Sequence, residues 1–81
     1  MKKQICILGS TGSIGTQALD VVREHSDLFE IYCLTANNRV EQLARQAREF
    51  RPAAVVIAND AHYDRLKELL SDLPEIKVYA G

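Results

Sequence analysis

The sequence predicts an α/β fold in which helices cover both faces of an open parallel sheet. Segments that favour strands alternate with segments of helical periodicity along the 81 residues. The first and third strand segments are almost continuously apolar, which is typical of parallel strands covered on both faces. Right-handed crossovers then favour about four strands in the order 3-2-1-4, a partial Rossmann fold.

The first half of the chain predicts a strand, a helix and a second strand. The first strand covers Gln4–Leu8. The helix runs from Ser13 to about His25, where apolar residues recur at helical spacing. Glu30–Thr35 is rich in residues that favour strands, so it is expected to form strand two.

Helix two is expected at Val40–Phe50, where apolar residues form one stripe. Asn38, followed three residues later by Glu41, resembles a capping box with Asn as the cap. Arg51 precedes Pro52 and therefore avoids helical angles, which ends the helix.

The last elements are a strand, a helix and a short strand. Strand three is expected at Ala53–Ala58, which is apolar on both faces. Asn59 and Asp60 supply a cap for a helix at Ala61–Ser71, and Ile76–Tyr79 completes the pattern as strand four.

Composition restricts the class of protein. The formal net charge is −1, and the hydrophobic fraction of 47% with 26% charged residues is typical of a soluble globular domain. Without a basic run or a long apolar stretch, we expect no nucleic acid and no membrane as partners. Cys6 and Cys33 lie inside predicted strands, and two buried thiols without an export signal favour the cytoplasm.

A glycine-rich turn between strand one and helix one predicts a phosphate site. Gly9, Gly12 and Gly15 have the spacing G-x-x-G-x-x-G directly after a buried strand. Gly9 makes the turn, Gly12 allows a pyrophosphate to approach, and Gly15 lets the helix pack closely. The alternative is a plain strand-to-helix turn. Hydroxyls that can bind phosphate or cap the helix belong to Ser10, Thr11 and Ser13.

The end of strand two indicates which dinucleotide is bound. NAD-preferring domains usually place a carboxylate there, to bind the ribose 2′-hydroxyl. This chain instead has Ala36, Asn37, Asn38 and Arg39, without a carboxylate. Arg and amide groups can bind a 2′-phosphate, so the sequence favours NADP over NAD. The alternative is that the two Asn residues form a turn and cap beside a solvated Arg.

No catalytic or metal-binding pattern stands out. His25 is expected at the end of helix one, and His62 stands near Asp60 and Asp64 without a further cluster. We therefore expect neither catalytic residues nor metal ligands in this chain.

Several runs of the sequence resemble one enzyme family. Leu8–Gly15 reads L-G-S-T-G-S-I-G, and the similarity continues through Leu19–Arg23, Phe29 and Leu34–Val40. These runs are similar to the N-terminus of 1-deoxy-D-xylulose 5-phosphate reductoisomerases. The resemblance implies an NADPH-dependent oxidoreductase of the non-mevalonate isoprenoid pathway, with a bound divalent metal such as Mg or Mn. Its product would be 2-C-methyl-D-erythritol 4-phosphate.

The resemblance also implies roles for individual residues. Those expected near the pyrophosphate are Thr11, Gly12, Ser13 and Ile14, and those expected around the 2′-phosphate are Asn37, Asn38 and Arg39. Family members often have Gly, a basic residue and Asn at the last three positions, so the positive charge is shifted by one residue here. The complete expected cofactor-binding set is Gly9, Ser10, Thr11, Gly12, Ser13, Ile14, Gly15, Ala36, Asn37, Asn38 and Arg39.

The resemblance implies that residues 1–81 are the N-terminal part of an NADP-binding Rossmann domain. Catalytic, metal and sugar-phosphate residues would then follow Gly81, so this segment alone is expected to be inactive. The full-length enzyme would be a cytoplasmic homodimer. Two rivals remain open: another NADP-dependent oxidoreductase such as a semialdehyde dehydrogenase, and a stand-alone nucleotide-binding module without enzymatic activity.

Overall fold

The computed structural model describes residues 2–81, in which strands and helices alternate. The predicted elements are confirmed within a few residues, except that helix three begins as a 3₁₀ turn and its α-helical part is short. The elements are β1 (Lys3–Ile7), α1 (Ser13–Glu24), β2 (Phe29–Ala36), α2 (Val40–Phe50), β3 (Ala54–Ile57), the 3₁₀ turn (Asp60–His62), α3 (Tyr63–Leu69) and β4 (Lys77–Ala80).

The four strands form one parallel sheet in the order β1-β2-β3-β4. The predicted order 3-2-1-4 is wrong, because β4 pairs with β3 instead of crossing back to β1. Lys77 N–H donates to the carbonyl of Ala53 at 3.0 Å, and Gly81 N–H donates to Ile57 at 3.1 Å. Each crossover therefore continues in the same direction along the sheet.

All three α-helices lie on one face of this sheet, whereas helices on both faces were expected. Right-handed crossovers that keep moving in one direction place every helix on the same side. α2 lies in the middle, where Glu49 pairs with Arg23 of α1 and Arg48 pairs with Asp72 beyond α3. Within residues 2–81, the second face of the sheet carries no helix.

One apolar layer between the helices and the sheet forms the core. Alternate strand residues point into this layer, so β3 alternates between half-buried and buried positions. The most deeply buried large side chains contributed by the strands and helices are Leu34, Leu43, Val55, Ile57 and Leu66.

The two cysteines lie on the uncovered face of the sheet. Cys6 of β1 is opposite Cys33 of β2, because the register shifts between Ile5 and Cys6. Cys6 is exposed and Cys33 is half-buried. The expectation of two buried thiols is therefore wrong for Cys6, since it assumed helices on both faces.

The caps of the helices differ in part from those predicted. Arg39, not Asn38, is the N-cap of α2, and no side chain within residues 2–81 caps that end. Asn38 Oδ1 instead accepts a hydrogen bond from Asn59 Nδ2 at 2.7 Å. Asn59 does supply the predicted cap of the 3₁₀ turn, where its Oδ1 accepts from Ala61 N–H at 3.0 Å. Among the described residues, no helix has the length and apolar character needed to cross a membrane.

Candidate functional site

The chain turns sharply where β1 ends. Gly9 has a φ of 71°, in the left-handed region that L side chains rarely adopt. The N–H of Gly12 donates to the carbonyl of Gly9 at 3.0 Å, which closes the turn. The structure thus confirms the predicted turn at Gly9.

Gly15 lies against the backbone of this turn. A Cβ on Gly15 would be 2.3 Å from the carbonyl oxygen of Gly9 and 2.7 Å from the Cα of Ser10. The close approach that the glycine spacing predicted is therefore present, and it joins the first turn of α1 to the loop that follows β1. Gly12 is different, because a Cβ there would meet only the Gly9 carbonyl at 3.5 Å.

The N-terminus of α1 is open. Gly12 is its N-cap with an extended backbone, and within residues 2–81 no side chain caps the helix. The N–H groups of the first turn have no partners inside a helix, and the helix dipole is positive there. Gly12, Ser13 and Ile14 are exposed at this end. A helix end of this kind can bind an anion such as a phosphate.

A groove of about 330 Å³ lies beside the open helix end. Its lining is Ile7, Leu8, Gly9, Gly12, Ser13, Ile14, Gly15 and Ala18. Leu8 and Ile14 are 80% and 82% exposed. Larger grooves of about 480 Å³ lie between α3 and β4 and at the opposite end of α1 and β2. Of these three grooves, the smaller one is the one that borders the glycine loop. We therefore take it as the candidate ligand-binding site.

The hydroxyls of Ser10, Thr11 and Ser13, which the sequence offered as phosphate ligands, lie in three different environments. Ser10 is completely buried, and its Oγ donates to Gln46 Oε1 of α2 at 2.7 Å. The hydroxyl of Ser10 is therefore used to bind α2, and Ser10 does not line the groove. Thr11 is half-buried and Ser13 is exposed, so solvent can reach both of these residues.

Sequence reasoning missed two residues that hold the glycine loop. Gln46 Nε2 donates to the carbonyl of Ser10 at 2.9 Å, so its amide binds Ser10 twice. Thr35 Oγ1 accepts from Gly9 N–H at 2.9 Å, and its carbonyl accepts from Ser10 N–H at 2.8 Å. A signal for Gln46 was present, since it is a polar residue on the apolar stripe of α2.

The turn after β2 lies next to the glycine loop, because β1 and β2 are parallel neighbours whose carboxyl ends share one edge. Ala36 is buried, and its carbonyl accepts from Ala58 N–H at 2.8 Å. The carbonyl of Asn37 accepts from Asn59 N–H at 3.1 Å. The two residues that follow β3 therefore hold this turn in place through backbone hydrogen bonds.

Arg39 is the cation of this turn. It is exposed, and within residues 2–81 it forms no ion pair, whereas Arg23, Arg48, Arg51 and Arg65 are each paired with a carboxylate. The turn itself contains no Asp or Glu. Its positive charge is therefore available to an anionic ligand.

The histidines and possible metal ligands of the described residues lie apart from one another. Among residues 2–81, no three His, Cys, Asp or Glu residues are grouped so as to hold a metal ion. His25 is the C-cap of α1, and His62 lies in the 3₁₀ turn. The arrangement is suited to holding an anionic ligand at the carboxyl ends of β1 and β2.

The fold and the glycine loop define the class: an α/β domain with the strand–turn–helix unit of nucleotide-binding proteins. Comparison with known proteins identifies the family. A family model described as 1-deoxy-D-xylulose 5-phosphate reductoisomerase matches residues 5–81, and the chain belongs to this family.

Individual relatives agree with that assignment. The chain is 72% identical over 81 residues to the 1-deoxy-D-xylulose 5-phosphate reductoisomerase of Phocaeicola vulgatus, and it covers 21% of that protein. The Zymomonas mobilis enzyme, solved in complex with NADPH, is 34% identical with a TM-score of 0.95 over 100% of this chain and 21% of its own. A DOX-P reductoisomerase solved with magnesium is 32% identical, with a TM-score of 0.91 over 100% of this chain and 20% of its own. The chain thus spans about a fifth of the length of these relatives.

Proposed function

We propose that residues 1–81 are the N-terminal part of the NADP-binding domain of a 1-deoxy-D-xylulose 5-phosphate reductoisomerase. The full-length protein would isomerise and reduce 1-deoxy-D-xylulose 5-phosphate to 2-C-methyl-D-erythritol 4-phosphate, with NADPH as reductant. The observation that carries the proposal is the open N-terminus of α1 beside the Gly9 turn. In support of the proposal, the chain as a whole has a TM-score of 0.95 to a relative solved in complex with NADPH.

The residues present fit a pyrophosphate at the glycine loop. Backbone N–H groups of the first turn of α1 would donate to its oxygens, and Gly12 presents no side chain that would block the approach. The hydroxyls of Thr11 and Ser13 would add donors. The proposed residues of this subsite are Gly9, Ser10, Thr11, Gly12, Ser13, Ile14 and Gly15, with Ser10 acting through its backbone.

The turn after β2 fits a 2′-phosphate. Arg39 offers a guanidinium that no carboxylate within residues 2–81 neutralises, and Asn37 is exposed beside it. A carboxylate in this turn would repel a 2′-phosphate, and none is present. We therefore assign Ala36, Asn37, Asn38 and Arg39 to the adenosine 2′-phosphate and propose NADPH rather than NADH as the cofactor.

NADPH supplies a hydride when bound, and the residues of this chain bind and orient it. The chain covers about a fifth of its relatives, and we propose that the ligands of a divalent metal and the catalytic groups belong to other parts of the full-length protein. The sugar-phosphate substrate would bind there too. We further propose that the full-length protein is a homodimer located in the cytoplasm.

Titration of the full-length protein with NADPH and NADH tests the cofactor assignment. We expect NADPH to bind at least about tenfold more tightly, because a charge-assisted contact with the 2′-phosphate contributes about 1.5–3 kcal/mol. Equal affinities would contradict the 2′-phosphate assignment.

The variant Gly12→Val tests the glycine loop in the same titration. The backbone of Gly12 has a φ of −80°, which a β-branched residue can adopt, so the variant should fold. The Val side chain should block the approach of the pyrophosphate. The matched control is Gln17→Val, because Gln17 is exposed and lies further along α1. This variant should bind NADPH with the affinity of the wild type. Unchanged NADPH affinity in Gly12→Val would refute the proposed pyrophosphate subsite.

A further inference from the structure

The side chain of Gln46 makes a two-point contact with the glycine loop. Its Oε1 accepts from Ser10 Oγ at 2.7 Å, and its Nε2 donates to the carbonyl of Ser10 at 2.9 Å. Gln46 is 9% exposed and Ser10 is fully buried. A buried amide without partners would be costly, so this pairing strongly favours one position of the loop relative to α2.

The loop needs such support because its own sequence favours mobility. Gly9 and Gly12 restrict the backbone less than other residues do. Thr35 holds Gly9 and Ser10 from the neighbouring strand. Gln46 holds Ser10 from the helix layer, so the loop is fixed from two independent elements.

We infer that Gln46 is a positioning residue for the pyrophosphate: it keeps the N–H groups of the glycine loop and of the first turn of α1 aimed at the ligand. This inference rests on the proposed function. Gln46 itself does not line the groove, so it acts only through Ser10. The pyrophosphate is common to NADPH and NADH, so loss of Gln46 should weaken both ligands by the same factor.

The test compares Gln46→Leu with the wild type in the full-length protein. We expect Kd for NADPH and Kd for NADH each to rise about tenfold while their ratio is retained, because two hydrogen bonds to the loop are lost. Amide hydrogen exchange of residues 9–15 should become faster in the variant. Steady-state kinetics should show a higher KM for NADPH with little change in kcat.

Two further variants separate positioning from general damage. Gln42→Leu, on the same helix and without a side-chain hydrogen bond within residues 2–81, should leave both Kd values unchanged. Gln46→Glu keeps the acceptor for Ser10 Oγ but places a buried carboxylate oxygen against the Ser10 carbonyl, so both Kd values should rise at least as much as in Gln46→Leu.

The outcomes distinguish this inference from the proposed function. Wild-type protein that binds neither nucleotide would refute the proposed function. Wild-type protein that binds NADPH, with Gln46→Leu within twofold of it, would refute the positioning role alone. A Gln46→Leu variant that lowers only NADPH affinity would also refute it, since the effect would then lie at the 2′-phosphate.

Discussion

Gly15 on α1 lies against the carbonyl oxygen of Gly9, with room for nothing larger than hydrogen. A Cβ at Gly15 would be 2.3 Å from that oxygen, and the neighbouring contacts at Ser10 are also with backbone atoms. Since a backbone cannot rotate away as a side chain does, the third glycine of the spacing is required by the fold. The first glycine is required for its φ of 71°, while the second is sterically free.

Gly15→Ala should destabilise the protein although Ala favours helices. The propensity gain is at most about 1 kcal/mol, whereas overpacking against backbone costs about 1–3 kcal/mol or more. We therefore expect a lower melting temperature. Gly12→Ala is the matched control and should melt with the wild type, because its Cβ would make an ordinary 3.5 Å contact. A Gly15→Ala protein as stable as the Gly12→Ala protein would contradict the close approach.

Thr35→Val should loosen the glycine loop with little change in shape. The variant loses the acceptor for Gly9 N–H, whose bond to Thr35 Oγ1 is 2.9 Å long. Because Gly9 is exposed and can bind water instead, the cost should be near the lower end of about 0.5–1.5 kcal/mol. Calorimetric titration should show NADPH binding weakened by a few fold.

Thr35→Ser is the control for this prediction. It retains the hydroxyl and should keep most of the NADPH affinity. Should Thr35→Ser lose as much affinity as Thr35→Val, the hydroxyl contact would not be what holds the loop.

Local sequence signals predicted the helices and strands. They did not predict the order of the strands, because that order depends on pairing between segments that are distant in the sequence. The boundaries of α2 follow from its apolar stripe and from Pro52, and both are local. The position of β4 depends on which free strand edge it meets after α3, and no residue of β4 encodes that choice by itself. Lys77 and Tyr79 remain exposed on an edge strand, so their side chains did not distinguish the two orders.

The wrong predictions for Cys6 and Asn38 also arise from contacts with residues that are distant in the sequence. Cys6 was expected to be buried because its strand is apolar, yet burial depends on which face the helices cover. Asn38 has the spacing of a cap, but its side-chain oxygen accepts instead from Asn59, the cap of the 3₁₀ turn. The glycine loop was recognisable because its chemistry is contained in consecutive residues, while Gln46 acts on it from 36 positions away.

Arg51→Gly should stabilise the protein slightly. Arg51 has φ 51° and ψ 55°, a left-handed conformation that costs a non-glycine residue about 1–2 kcal/mol. Glycine removes this strain and is the preferred residue after a helix, at an entropic cost of about 0.4–1 kcal/mol in the unfolded chain. The melting temperature should therefore rise by a small amount.

Arg51→Ala separates the strain from the side-chain contacts. It removes the long, exposed contact with Glu75 at 3.4 Å and keeps a Cβ in the left-handed conformation. We expect no gain in melting temperature from this variant. A gain equal to that of Arg51→Gly would show that the backbone at Arg51 carries no strain.

Acid should weaken the contact between α1 and α2 through Glu49. Arg23 binds both carboxylate oxygens of Glu49, and these hydrogen bonds hold the pKa of Glu49 below its ordinary value. A carboxylate whose pKa is lower in the folded state stabilises that state above the unfolded pKa. This contribution is lost as the pH falls through the lower, folded pKa. Both side chains are nearly half exposed, so solvent screens the pair and the effect is small.

Thermal melts at neutral and acid pH test this linkage with Glu49→Gln and Glu24→Gln. The Glu49 variant should melt below the wild type at pH 7. The difference should shrink on acidification and vanish once the pH has fallen through the lowered pKa of Glu49, where the wild-type carboxylate is protonated. Glu24 is an exposed carboxylate of α1 without an ion pair among residues 2–81, so its variant is the control and should not melt below the wild type at pH 7. A difference for Glu49→Gln that grows on acidification would have the wrong sign and would contradict the pairing with Arg23.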